Sequence, residues 1–163
     1  MLAVRDAEAD DLERIAAIYA HHVLHGTATF DTEPPDIAAW RDKRDTIRGK
    51  GWPFLVAVEG GQVVGYAYAT QFRDRTAYAH SCEDSIYIDA ARLGRGVGGT
   101  LLGALMDTAR QSGFRQMIAV IGGAEPGSIA LHAKCGFDQV GRLRDVGRKF
   151  GRLLDTVYMQ RAL

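Results

Sequence analysis

Residues 92–100 read RLGRGVGGT, with four glycines between positions 94 and 99, and they decide how the chain on either side is read. Gly94, Gly96, Gly98 and Gly99 carry no Cβ, so the backbone there can bend sharply and approach a ligand closely. A tight strand-to-helix turn needs one glycine, and four ask for a further reason. Upstream, YAHSCEDSIYI (78–88) reads as a strand. Downstream, VGGTLLGALMDTARQSG (97–113) sets Leu101, Leu102, Leu105, Met106 and Ala109 along one helical stripe. The first turn of a helix exposes unpaired N–H groups and about half a positive charge, so a strand, glycine loop and helix in this order form a phosphate cradle.

The segments on both sides complete an α/β pattern. LAVRDA (2–7) is a short first strand, and DDLERIAAIYAHHVLHG (10–26) places Leu12, Ile15, Tyr19 and Val23 on one helical face. Asp10 and Glu13 are expected to form a capping box at its start. PPDIAAWRDKRDTIRGKG (34–51) predicts a second helix through Ile37, Trp40 and Ile47, closed by Gly49 and Gly51. PFLVAVEGGQVVGYAYATQF (53–72) is two apolar runs around EGGQ, the mark of a hairpin. FRQMIAVIGG (114–123) returns as an apolar strand, GSIALHAKCGF (127–137) as a short helix ending at Gly136, and residues 138–163 as two last strands. A right-handed crossover is expected from residue 83 to residue 121. No repeat, linker or low-complexity tract divides residues 1–163, so one domain is expected.

Composition removes several classes of function. The 163 residues hold 20 basic and 20 acidic side chains, which argues against a broad surface for nucleic acid. Apolar runs stop far short of the ~20 residues a membrane span needs. The N-terminus turns acidic at once, unlike a signal or transit peptide, and a cytoplasmic address is the expectation. Cys82 and Cys135 lie in apolar surroundings without CxxC or metal spacing, so they read as reduced structural thiols, and no metal site is expected.

Three phosphate loops could explain the glycines. A GxxxxGK[ST] loop fails because Gly99 runs directly into Thr100 with no lysine. Gly94, Gly96 and Gly99 match GxGxxG, but a dinucleotide fold places that motif on its first strand, whereas over eighty residues precede it here. MIAVIGG (117–123) also lacks the acidic residue such a fold requires. The third candidate is the pyrophosphate loop of an acyl-coenzyme A binder.

LGRGVGGTLLGALMDTA (93–109), after EDSIYI and before SIALHAKCGF, resembles the GNAT acetyltransferase family. TATFDTEPP (27–35), CEDSIYI (82–88), MIAVIG (117–122), SIALHAKCGF (128–137) and VGRKFGRLLDTVYMQ (146–160) extend the resemblance over nearly the whole chain, toward phosphinothricin and methionine sulfoximine N-acetyltransferases. It implies a mixed, mostly antiparallel central sheet with helices on both faces and splayed central strands. It also implies acetyl-CoA as donor, no metal, and a homodimer acting on a small amino-acid-like acceptor. Leu93 stands where the family signature has Gln or Arg, with Arg92 one position early.

Acetyl transfer to an amine needs a base, a polarised carbonyl and a proton for the departing thiolate. Glu83, in an apolar strand that would raise its pKa, is the expected base, as the resemblance also implies. Asp84 beside it must point to the opposite face. By resemblance, Ile86, Tyr87 and Ile88 supply main-chain contacts, and Gly94, Arg95, Gly96, Val97, Gly98 and Gly99 the cradle. Glu125, at the place of a family Asn, and Ser128 are expected to contact the coenzyme. His132 stands where many members have a Tyr acting as general acid, a task imidazole can perform, although a lone helical histidine is more often structural. Arg73 and Arg75 could fork a substrate carboxylate. Phe30, Lys149 and Arg152 are placed at the substrate pocket by position. Two other functions share this fold reading: a non-catalytic acyl-CoA-binding module, and an acetyltransferase of protein N-termini.

Overall fold

A computed structural model describes residues 1–163. Seven strands form one sheet: β1 (Leu2–Asp6), β2 (Phe54–Glu59), β3 (Gln62–Gln71), β4 (Ser81–Ile88), β5 (Gln116–Gly122), β6 (Asp138–Lys149) and β7 (Arg152–Ala162). Their spatial order is β1-β2-β3-β4-β5-β7-β6, and every neighbouring pair is antiparallel except β4 with β5. Four helices cover the sheet: α1 (Leu12–His25), α2 (Ile37–Gly49), α3 (Val97–Gln111) and α4 (Pro126–Lys134). The α3 helix joins the one parallel pair, as the crossover requires.

Each face of the sheet has its own core. Leu12, Ile15 and Ile18 of α1 and Trp40 and Ile47 of α2 pack on Phe54, Val56, Val63 and Tyr66. On the other face Leu101, Leu102, Leu105 and Ala109, four members of the predicted α3 stripe, pack on Leu55, Ala67, Met117 and Val157. Alternation along the strands sends successive side chains to opposite faces and so feeds both cores. The α1 face differs from its prediction at one place: Ile18 is buried and Tyr19 only half-buried, with its hydroxyl reaching Thr29 at 2.7 Å. The capping box also moves. Glu8 and Asp11 form it at a short 3₁₀ turn (Ala9–Asp11) ahead of α1, because Arg5 draws the Asp11 carboxylate inward through bonds of 2.7 and 2.9 Å, and Asp10 and Glu13 take no part.

Pairing between β4 and β5 covers only Ser81↔Gln116 to Asp84↔Ala119. Beyond that point β4 continues beside β3 to Ile88, and β5 continues beside β7 to Gly122. The two central strands therefore part after Asp84, as the splayed sheet predicted. Gly65 of β3 lies behind the opening; a Cβ there would stand 2.7 Å from Ile88 Cδ1 and 3.5 Å from Leu101. Both cysteines are free, and no helix is long and apolar enough to cross a membrane.

Candidate active site

The glycine turn starts from an anchored residue. Asp89, just past β4, accepts from the Ala91 N–H at 3.0 Å and pairs with the Arg14 guanidinium, whose Nε donates to the Val63 carbonyl at 3.0 Å. Gly94 and Gly96 have φ of 73° and 82°, the left-handed region that other L-residues avoid. Gly96 is the N-cap of α3 and no side chain caps it. The first bond inside α3 runs from Thr100 N–H to Gly96 O, so the amides of Val97, Gly98 and Gly99 have no helical acceptor. A Cβ at Gly94, Gly96 or Gly99 would meet nothing within 4 Å, which leaves the approach open. Gly98 differs, because its Cβ would come within 3.1 Å of Leu131; this glycine lets α3 settle on α4. Arg95 and Leu93 are exposed, while Arg92 is held by Glu59 at 2.9 Å and so does not replace the missing signature side chain.

The splay frees a specific set of backbone groups. Asp89 N–H bonds Val64 O and Phe72 N–H bonds Ser81 O, so in the register of β3 with β4 the odd-numbered residues of β4 bond to β3. Ile86 and Ile88 then turn their N–H and C=O toward β5, where no strand pairs with them. Tyr87, expected to offer its main chain, instead spends it on Tyr66. Its ring joins an aromatic cluster, 4.9 Å from Tyr19 and 5.7 Å from Tyr66. The His22 imidazole N–H donates to the Ile88 carbonyl at 2.7 Å, leaving the amides of Ile86 and Ile88 as the open donors. Unpaired amides on a strand, beside a bare helix N-terminus and a glycine turn, suit an extended carrier that ends in a diphosphate.

Glu83 lies on the α1/α2 face and borders a cavity of about 440 Å³ walled by Lys43, Trp52, Tyr68, Thr70 and Ser85. Burial raises its carboxyl pKa above the usual range; the Arg73 charge pulls it down in part and Asp84 adds to the rise. Arg73 is stacked 4.0 Å over the Phe72 ring and donates to the Phe72 carbonyl at 2.9 Å, while Arg75 is exposed in the same loop. Lys43, which nothing in the sequence pattern marked, donates to the Tyr68 hydroxyl at 3.1 Å in the same cavity.

Asp84 points through the sheet to α4, as alternation requires. Its Oδ2 is 2.9 Å from His132 Nε2, and both side chains are almost fully buried. His132 Nδ1 lies 2.8 Å from the Ser128 carbonyl and 3.4 Å from the Ser128 hydroxyl. Burial alone would lower the imidazole pKa, but the Asp84 hydrogen bond and charge, with the Ser128 carbonyl, raise it overall. His132 is thus on the opposite face from Glu83, and with both ring nitrogens engaged it has no free nitrogen to aim at a ligand.

Two other expected ligands, Glu125 and Lys149, are engaged inside the protein. Glu125 is the N-cap of α4: its carboxylate accepts from Gly127 and Ser128 N–H at 3.0 and 2.7 Å, so the coenzyme contact expected of it gives way to helix capping. Lys149, 4% exposed, donates to the Thr29 carbonyl at 2.9 Å and fastens residues 27–31, rather than reaching into open space. Phe30 lies in that strap, its ring against Gly122 and Gly147, where a Cβ would stand 3.2 and 2.3 Å away. Arg152 is exposed at the β6–β7 turn.

Comparison with known proteins agrees with this geometry. The profile of the acetyltransferase (GNAT) domain matches residues 4–158. The phosphinothricin N-acetyltransferase of Alcaligenes faecalis is 48% identical over 161 residues, covering 98% of this chain and 82% of that protein. The L-methionine sulfoximine/L-methionine sulfone acetyltransferase of Pseudomonas aeruginosa is 38% identical, covering 97% and 92%. A crystal structure of a GNAT superfamily phosphinothricin acetyltransferase from Sinorhizobium meliloti, in complex with acetyl-CoA, superposes with a TM-score of 0.97 at 49% identity, covering 99% of this chain and 88% of that one.

Capping and coenzyme contact by Glu125 separate experimentally. E125A should lower stability in urea by about 0.5–2 kcal/mol, the usual worth of an N-cap, and leave acetyl-CoA affinity within about threefold. An affinity loss without a stability loss would return Glu125 to the coenzyme.

Proposed function

The chain belongs to the GNAT acetyltransferase family, and from that premise we propose that it moves an acetyl group directly, within a ternary complex, to the α-amino group of a small amino-acid-like acceptor. Acetyl-CoA is the donor and supplies the activated acyl group as a thioester. The acceptor class is that of phosphinothricin, methionine sulfoximine and methionine sulfone, on which the named relatives act. The observation that carries this reading is the uncapped start of α3 beside the parted strands, with the half-buried Glu83 carboxylate on β4 just before they part.

Each role has a physical basis in this chain. The amides of Val97, Gly98 and Gly99 would hold the diphosphate, where the partial charge of the helix end favours an anion. The Ile86 and Ile88 amides lie along the parted strand, where preorganised donors can hold the pantetheine arm and stabilise charge developing on the acyl oxygen. Glu83 takes the proton of the acceptor ammonium; its raised pKa brings it closer to that of the amine and strengthens it as a base. Arg73 and Arg75 hold the acceptor carboxylate, and Phe30 lines the pocket from the strap that Lys149 fastens.

A second copy is expected at the sheet edge. The β6–β7 hairpin exposes Val140, Leu143, Val146, Phe150 and Leu153, an apolar surface that supports a homodimer. Sedimentation equilibrium at micromolar concentration should give a dimer, and L143K combined with V146K should shift it to monomer. A wild-type chain that stays monomeric throughout would remove this part of the proposal.

Two sets of variants test the chemistry. With acetyl-CoA and each of the three acceptors, thiol release should depend on acceptor, and E83Q should lose ~10²–10⁴-fold in kcat/KM while keeping acetyl-CoA affinity. R73Q removes the charge that holds the Glu83 pKa down, so its acid limb should move to higher pH. Acceptor-independent thiol release, or an unimpaired E83Q, would overturn the transfer mechanism. Gly99 is helical with open space around it, so G99E adds a charge without backbone strain. It should weaken acetyl-CoA binding by about tenfold or more, equivalent to about 1.4 kcal/mol, by calorimetry with Tm preserved. Unchanged affinity would refute the cradle.

A further inference from the structure

We infer that Asp84, His132 and Ser128 form a proton relay, in which Asp84 positions His132 and keeps it doubly protonated while the Ser128 hydroxyl passes its proton to the departing thiolate. The relay rests on the transfer reading above and assigns it two residues, Asp84 as a positioning residue and Ser128 as the proton outlet.

The argument starts from the partners of the ring. The Ser128 carbonyl can only accept, so His132 Nδ1 at 2.8 Å carries a proton. The other nitrogen faces a carboxylate oxygen at 2.9 Å, so one more proton is shared between Nε2 and Asp84. Asp84 Oδ1 is buried without any partner. An ionised carboxylate in such a place is sustained by an adjacent positive charge, which the imidazolium provides.

The pair sits where the strands part, since Asp84 is the last residue of β4 paired with β5. His132 is only 2% exposed and closed off by the edge-on Phe137 ring at 5.0 Å, so it cannot reach a substrate sulfur itself. The Ser128 hydroxyl, 3.4 Å from Nδ1 on a half-buried residue, is the polar side-chain group next to the ring on that side.

Protons and charge balance through the relay. The thiolate takes the hydroxyl proton of Ser128 and becomes a thiol, and Ser128 takes the Nδ1 proton. His132 is left neutral, with Nε2–H on ionised Asp84, and recovers one proton from water. The other ionisable groups that sense Asp84 are Cys82, Glu83 and Tyr87 on its own strand and Cys135 at the end of α4. Burial pushes Cys82 up to about 12 and also raises Cys135 and Tyr87, which leaves Glu83 on the other face as the only neighbour among them to titrate with the ring.

The test uses ring ¹⁵N spectra of the full chain without acetyl-CoA, and single-turnover rates with it. His132 should show two protonated nitrogens at pH 7 and titrate above the ordinary imidazole value of about 6.5. D84N should leave it neutral at pH 7 and move the alkaline limb of the rate to lower pH. S128A should keep the ring spectrum yet slow the single-turnover rate at saturating acetyl-CoA by at least about tenfold, with S128T restoring it. A neutral ring in the wild type, a ring unmoved by D84N, or an S128A rate equal to wild type overturns the relay. If the wild type turns over while S128A matches it, only the relay falls. If the wild type transfers no acetyl group to any acceptor, the transfer reading falls with it.

Discussion

The structure depends on a debt of backbone hydrogen bonds that the fold leaves open in one place. Nearly every buried N–H and C=O in a protein finds a partner, and a strand that leaves its neighbour normally finds another. Here β4 leaves β5 after Asp84, and the amides of Ile86 and Ile88 face a gap. The adjoining end of α3 adds its own unpaired amides, with no side chain to cap them. Two sets of exposed donors therefore meet at the gap between the two central strands. The surrounding packing holds the gap rather than closing it: Gly65 lets Ile88 and Leu101 pack close behind it, and Arg14 and Asp89 anchor the start of the glycine turn.

Strand alternation then sends two neighbouring carboxyl side chains to opposite faces. Glu83 and Asp84 are neighbours in sequence, yet one borders an open cavity and the other lies under α4. Burial acts on both neighbourhoods with opposite results. For Glu83 it disfavours charge and raises the carboxyl pKa, which suits the base role proposed for it. For His132 burial would do the reverse, and the carboxylate beside it wins, so the ring holds its proton more tightly. The cost lies in the unpaired Asp84 oxygen, a buried acceptor of the kind that forfeits about 1–3 kcal/mol.

Several charged residues that look like ligands by position are consumed in building the site. Lys149 fastens the strap that carries Phe30, Glu125 caps the helix that carries His132, and Arg92 is paired with Glu59. A long or branched polar side chain near a helix end or loop carbonyl finds a partner within the protein before any ligand arrives. Glycines repeat the pattern in miniature. Gly94 and Gly96 answer a backbone conformation, Gly99 answers an open approach, and Gly98 and Gly147 answer the bulk of Leu131 and Phe30.

What was legible in the sequence is what local physics controls. The amphipathic stripe of α3, the hairpin around EGGQ, the sharp glycine turn and the opposite facing of Glu83 and Asp84 follow from local pattern over a few residues, and they are present. Some corrected details turn on a partner two or three positions away, as for Glu125 with the Gly127 and Ser128 N–H, and the others on partners far away in the chain. Lys149 meets Thr29 across 120 positions, Arg14 meets Asp89 across 75, and Asp84 meets His132 across 48. A motif can show that a histidine or a lysine is present near a site. Only the assembled sheet decides whether its polar atoms face a ligand or a carbonyl of the same chain, because that choice depends on which groups burial brings within 3 Å.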